Sequence, residues 1–233
     1  MRAVVVIPIY NEHQNIAPLV EAIHQHAPGL HVLFVDDNSP DGSGQIADEL
    51  GLQHPGRVFV LHRPKKEGLG KAYVEAFRYL AGKDYDYVLQ MDADFSHDPA
   101  HLPLLLGRAH EHDLVIGSRY LNGISVINWD LKRLVLSKAA TKYVQIMTGM
   151  PFTDATSGFN CWRRSALEAV GYETTFSSGY MFLIEMKYKA YRCGCKVSEV
   201  PIIFVERTTG DSKLDRGVFL EAFWGVLRLR LKY

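Results

Sequence analysis

The chain has 233 residues, 47% of them hydrophobic, which is enough for one sizeable α/β domain. Lys+Arg and Asp+Glu both total 26, so the formal charge is zero and a basic nucleic-acid-binding face is not expected. Cys161, Cys193 and Cys195 form neither a disulfide framework nor a zinc set, as in a reduced intracellular chain, and no stretch reaches the ~18 uncharged apolar residues of a membrane-spanning helix.

In chain order, "AVVVIPI" (3–9) reads as a buried first strand, not a secretion leader, and "YNEHQN" as a polar turn. "IAPLVEAIHQH" has helical spacing, "HVLFVDD" is a second buried strand and "GQIADELGL" a second helix. "RVFVLHR", "GLGKAYVEAFRYLAG" and "DYVLQMDAD" continue as strand, helix and strand, followed by helical "DPAHLPLLLGRAHEH" and strand-like "DLVIGSRY". Such alternation, with strands apolar on both faces, predicts a largely parallel, Rossmann-like sheet flanked by helices. After Tyr120 the rhythm changes. "LKRLVLSKAATKYVQIMTG" reads as one long helix, "SGFNCWRR" as a strand, "GYMFLIEMKYKAYRC" as a helix, "KVSEVPIIFVER" as a strand and "GVFLEAFWGVLRLRLKY" as a last helix. We expect a single domain with a nucleotide-binding half at about 1–120 and an acceptor-binding half at about 121–233.

Open parallel sheets bind ligands beyond the carboxyl ends of their strands. The first strand ends at Pro8, Tyr10 and Glu12, and the second in "VDDNSPDG", with Asp36, Asp37 and Asp41. The third is followed by "RPKKEGLGK", and the fourth ends at Asp92, Ala93 and Asp94. Two carboxylates one residue apart repel unless a cation joins them, and oxygen-only ligands suit Mg²⁺ or Mn²⁺. Lys65, Lys66 and Lys71, with the glycines beside them, suit a diphosphate. Each group also has a plainer use: Asp36, Asp37 or Asp41 as a helix cap, Glu12 as a surface residue, Gly68 and Gly70 as turn formers. "GLGKA" lacks the P-loop spacing, and no G-x-G-x-x-G follows the first strand. The chain is about twice too long for a receiver domain carrying a similar acidic pair.

"VIPIYNEHQNI", "VDDNSPDGSG", "KKEGLGKAY", "MDADFSHDP", "GSRY", "DATSGFNCWRR", "SGYMFLIEM" and "EVPIIFVERTTGDSKL" follow one another in an order that resembles the polyprenol-phosphate (dolichol-phosphate) mannose synthases, family-two inverting glycosyltransferases of A-type fold. The resemblance runs from about residue 3 to 214 and is far more specific than Asp-x-Asp alone. It implies transfer of mannose from GDP-mannose to a polyprenyl phosphate with inversion, assisted by Mg²⁺ or Mn²⁺. Carried onto this chain, it implies a donor site of Pro8, Tyr10, Glu12, Asp36, Asp37, Lys71, Asp92, Ala93 and Asp94, with Asp92 and Asp94 toward the metal. Some relatives have Gln where this chain has Ser96, so a water can replace a third side-chain ligand. The Gln-x-x-Arg-Trp motif of many family members is missing. A phosphate monoester, with a second pKa of about 6, needs no strong base, only positioning and cations. The resemblance assigns that task to Arg119, Arg133, Arg207 and Lys213, with Asp92, Asp94, Arg119 and Arg133 as the catalytic set.

The nearest alternative is a UDP-glucose-dependent polyprenyl-phosphate glucosyltransferase. A sugar-phosphate nucleotidyltransferase would show a Gly-rich, Arg-containing signature after the first strand, and a non-catalytic binding subunit would not need the intact acidic motifs. In the last helix, Glu221, Gly225, Arg228 and Lys232 share a stripe, while Phe219, Leu220, Phe223, Trp224, Val226 and Leu227 cover much of the remainder. Such an amphipathic helix can lie in a membrane interface or pack on the domain itself. With a lipid acceptor, it leads us to expect a cytoplasmic enzyme, peripheral on the cytoplasmic face of a membrane.

Overall fold

The structure, a computed structural model, describes residues 2–206 and 216–233. Its first half runs β1 (Ala3–Ile9), α1 (Ile16–His26), β2 (Leu30–Asp36), α2 (Ser43–Gln53), β3 (Val58–His62), α3 (Leu69–Ala81), β4 (Tyr87–Gln90), α4 (Leu102–Ala109) and β5 (Leu114–Ser118). Then come β6 (Val126–Ile127), α5 (Leu131–Thr148), β7 (Asn160–Arg163), α6 (Arg164–Ala169), α7 (Met181–Arg192), β8 (Val197–Pro201), β9 (Phe204–Val205) and α8 (Arg216–Lys232).

Seven strands form one sheet in the order β3-β2-β1-β4-β7-β5-β8. All neighbours pair in parallel except β7, which lies antiparallel between β4 and β5. The alternation of a strand explains the two-sided burial. Val4 and Val6 of β1 face the core layer of α3, α5, α7 and α8, while Val5, Ile7 and Ile9 face that of α1, α2 and α4. The strand order reverses between β1 and β4, and beyond the carboxyl ends at such a switch point open sheets hold ligands in a crevice.

Three departures from the sequence reading matter for the site. β4 stops at Gln90 and β5 at Ser118, so Asp92, Asp94 and Arg119 stand in loops beyond the strands. The segment read as one strand from 196 to 207 is broken: β9 leaves the main sheet and pairs with β6. In α8, Gly225 is not on a solvent stripe; a methyl group there would lie 2.8 Å from Met181, and Val226 and Leu229 are buried. The helix therefore packs on the domain, leaving Phe223 and Trp224 exposed. Among the described residues, no helix is long and apolar enough to cross a membrane.

Candidate active site

The ends of β1, β2 and β4 are each followed by a residue in the left-handed backbone region: Asn11 (φ 59°), Asn38 (φ 59°) and Phe95 (φ 58°). Asn tolerates that region, whereas Phe does so at a steric cost that clusters at working loops. These kinks turn the chain sharply and leave polar side chains on the rim. Asn11 N–H donates to Ser39 Oγ (3.3 Å), and Glu12 N–H donates to Ser43 Oγ (2.9 Å), tying the β1 rim to the β2 loop. The Lys66 ammonium stands 4.0 Å from the centre of the Tyr10 ring, bringing a cation to the same edge.

The neighbouring Asp36 and Asp37 part company. Asp36 is buried and accepts from Ser39 N–H (3.1 Å) and Ser39 Oγ–H (2.6 Å), while His62 Nδ1 lies 3.2 Å away. Gly44 is required beside it, since a Cβ there would come within 2.5 Å of Asp36 Oδ2. The Asp36 carboxylate, expected at the nucleoside, is thus also tied into the β2–α2 turn. Asp37 instead meets Arg63, whose buried side chain also reaches Glu75 (3.0 Å) and Glu67 (3.5 Å). Burial pushes the Asp37 carboxyl up, only partly offset by Arg63. Asp41 takes the turn role, accepting from Ser43 N–H (3.0 Å), Ser43 Oγ–H (2.6 Å) and His13 N–H (3.2 Å).

The glycines of "EGLGK" do not form an anion cradle. A Cβ on Gly68 would lie 2.5 Å from Ser178 O, and one on Gly70 would lie 2.8 Å from both Ser177 O and Phe182 Cβ. Gly70 N–H also donates to Ser178 O (2.7 Å). These glycines dock the start of α3 against the loop before α7, a close approach that side chains would prevent. Lys71 Nζ donates to Glu67 (3.2 Å), and Lys65 lies 3.4 Å from the same carboxylate.

Asp92 and Asp94 sit together where β4 has ended. Asp94 Oδ1 accepts from Ser96 N–H (3.1 Å) and Ser96 Oγ–H (2.6 Å), so Ser96 orients this carboxylate. Asp92 N–H donates to His97 Nδ1 (3.1 Å). Burial holds the His97 imidazole down at about 4, consistent with a neutral ring whose Nδ1 accepts. That ring stacks on Phe159, with centroids 4.9 Å apart. Among the described residues no group of three His, Cys, Asp or Glu side chains could hold a metal alone. The donor set nevertheless fits a hard cation that takes two carboxylates and completes its shell with phosphate oxygens and water, the habit of Mg²⁺ and Mn²⁺.

On the other side of the crevice two of the expected phosphate cations, Arg119 and Arg133, are paired with carboxylates. Arg119 is 9% exposed and grips Asp154, which is fully buried, with Nε–H on Oδ2 (2.6 Å) and Nη2–H on Oδ1 (2.7 Å). Nη2 also donates to Thr156 Oγ1 (2.7 Å). Burial opposes the Asp154 charge, but Arg119 outweighs it and holds the carboxyl below its ordinary value. Arg119 thus anchors the loop after α5 through Nε and Nη2. Arg133 is more open: it donates to Glu206 and packs 4.5 Å from the centre of the Trp129 ring. Arg207 and Lys213 lie outside the described residues. Arg63, Asp154 and the buried Lys187 were missed by the sequence reading. Asp154 lay inside a quoted motif, but its partner is 35 residues away.

The family model for Glycosyl transferase family 2 matches residues 4–171. The chain is 43% identical to the polyprenol monophosphomannose synthase of Mycolicibacterium smegmatis, over 97% of this chain and 87% of that protein. It is 41% identical to the undecaprenyl-phosphate mannosyltransferase of Micrococcus luteus, over 98% of this chain and 93% of that protein. A solved structure of glucosyl-3-phosphoglycerate synthase from Mycobacterium tuberculosis, in complex with Mn²⁺, uridine diphosphate and phosphoglyceric acid, matches with a TM-score of 0.72 at 19% identity. That match covers 98% of this chain and 78% of the other, and it shows a shared A-type fold.

Proposed function

The chain belongs to glycosyl transferase family 2, and from that premise we propose that it transfers a mannosyl group from GDP-mannose to a polyprenyl phosphate with inversion. The observation that carries the reading is 41–43% identity, along nearly the whole chain, to two relatives named for this kind of transfer. The rim chemistry supports it. Asp37, with Pro8, Tyr10, Glu12 and Lys66 close to the β1 and β2 ends, would receive the nucleoside end of the donor. Asp92 and Asp94 would hold Mg²⁺ or Mn²⁺, which when bound neutralises charge on the departing diphosphate. Ser96 keeps Asp94 turned toward that task.

The reaction is a single displacement. An oxygen of the acceptor phosphate forms a bond to the anomeric carbon as the bond to GDP breaks, and GDP leaves with the electron pair. The attacking oxygen is already ionised at neutral pH, so no residue has to remove a proton. Arg133, with Arg207 and Lys213, would screen the acceptor phosphate from the donor diphosphate. Arg119 would act behind them by holding the Asp154 loop. The exposed Phe223 and Trp224 of α8, with Leu131 and Val135 of α5, suit a peripheral contact where a lipid acceptor resides, on the cytoplasmic face of a membrane.

The test is purified protein with a short polyprenyl phosphate, Mg²⁺ or Mn²⁺, and either GDP-mannose or UDP-glucose. Mannolipid from GDP-mannose is expected, together with a larger rise in Tm from GDP than from UDP in the presence of metal. Faster glucolipid formation from UDP-glucose would replace the donor assignment, and no lipid-linked sugar from either would overturn the function.

A further inference from the structure

Lys187 lies on α7, 1% exposed, and is no part of the donor or acceptor sets above. Its Nζ donates to Ser157 O (2.6 Å), with Leu183 O of its own helix 3.5 Å away. The Ser157 carbonyl already accepts from Asn160 Nδ2 (3.2 Å), and the Ser157 hydroxyl donates to Gly117 O (2.6 Å). A carbonyl so supplied has little need of an ammonium, and burying an ammonium is costly. The next residue gives the placement meaning. A methyl group on Gly158 would stand 3.3 Å from His97 Cε1 and 3.5 and 3.6 Å from the two carboxylate oxygens of Asp92. The backbone that Lys187 grips is thus the wall against which Asp92 rests.

We propose that Lys187 is a positioning residue for the carboxylate pair, fixing the Ser157–Gly158 backbone and with it the direction of the Asp92 carboxylate. This rests on the reading of Asp92 and Asp94 as the metal and diphosphate end of a glycosyltransferase site. Lys187 faces Asp154, Arg119 and Glu199, and burial holds its ammonium down at about 7 against the pull of Asp154.

The experiment uses the full chain carrying Lys187→Met, which keeps the volume and removes the donor. Three quantities are measured: Tm, GDP affinity by calorimetry with Mn²⁺ and with EDTA, and transfer rates at saturating substrates. The expected result is a Tm equal to or above wild type, with kcat and the Mn²⁺-dependent GDP affinity each about tenfold lower and the affinity in EDTA unchanged. A purely structural lysine would lower Tm and reduce both GDP affinities together, and that result overturns the proposal. So do Mn²⁺-dependent affinity and kcat within about twofold of wild type. Gly158→Ala perturbs the same wall from the other side and leaves the lysine in place. If Lys187→Met does not fold, Gly158→Ala decides: a selective loss of the Mn²⁺-dependent affinity supports the assignment, and no loss overturns it. The calorimetry needs no sugar or lipid, so an error in the sugar or the acceptor would appear only in the transfer rates; if the wild type binds UDP and not GDP, the donor reading has failed and the same comparison is made with UDP.

Discussion

The two banks of the crevice use charge in opposite ways. On the β4 bank, Asp92 and Asp94 lie on a short loop, and Asp94 is oriented by the hydroxyl and amide of Ser96, only two residues on. On the other bank, Arg119 and Arg133 are paired with carboxylates 35 and 73 residues away, Asp154 and Glu206. On the proposed function, the first arrangement would present charge to a ligand. The second uses charge to tie distant segments together, so a ligand there must either use what is left over or displace a carboxylate. The difference teaches that residue type alone does not disclose which charges also tie the fold together.

Breaking the building bank should have the largest effect. Arg119→Ala leaves Asp154 buried without its partner, which should cost about 3–5 kcal/mol of stability at neutral pH, measured by chemical denaturation. The sign of the pH dependence is fixed. In the wild type the Asp154 carboxyl is held low, so its contribution is present above the unfolded value near 3.8 and is lost as pH falls through the folded one. In the variant, burial raises that carboxyl against only the weaker contacts left to it, the residue-119 N–H, the Thr156 hydroxyl and the nearby Lys187, so the gap between the two proteins should narrow as pH falls. A gap that widens on acidification would remove Asp154 as the cause. Arg119→Met with Asp154→Leu should recover most of the loss.

The presenting bank should answer next, and differently. Asp94→Asn keeps the shape and the Ser96 contacts but loses the charge, so transfer should fall by about 100-fold with Tm unchanged. Turnover like wild type at limiting Mn²⁺ or Mg²⁺ would take the metal away from Asp94. A smaller effect sharpens the boundary between the banks. Arg133→Ala should raise the acceptor KM about tenfold while leaving GDP affinity, read by calorimetry, unchanged. Arg133→Lys should recover part of the loss, because charge returns without the planar fork. Equal weakening of GDP would place Arg133 on the donor side.

The contrast also explains what the sequence could disclose. The strand–helix alternation through residue 118 and the Asp-x-Asp pair were legible because their signals are local: apolar runs, and two carboxylates beside a strand end. The antiparallel insertion of β7 between β4 and β5 was not, because "SGFNCWRR" carries no period that names its neighbours or its direction. Gly68 and Gly70 were visible as glycines, yet the backbone they approach lies more than 100 residues on, at Ser177 and Ser178. Arg63, Asp154 and Lys187 share that reason. Each is a buried charge whose meaning is its partner, and a single sequence gives no partner across a fold.

Glu206 offers the finest test of the division. It accepts from Arg133, and both side chains are 26% exposed, so the pair is neither buried nor free. An ion pair of that exposure is worth roughly 0–1 kcal/mol, which a dianionic phosphate can outbid and which cannot change affinity by more than about fivefold. If Arg133 receives the acceptor phosphate, Glu206 competes with the acceptor for the same fork. Glu206→Gln should then lower the acceptor KM by about two- to fivefold and leave the donor KM unchanged, with a larger gain at low ionic strength, where the competing charge is least screened. If Glu206 instead holds Arg133 in position, the amide should raise the acceptor KM. The two roles give opposite signs in one titration of rate against polyprenyl phosphate. A rise would mean that Glu206 and Arg133 act as Asp154 and Arg119 do, as structure, and that the acceptor phosphate is held by other cations.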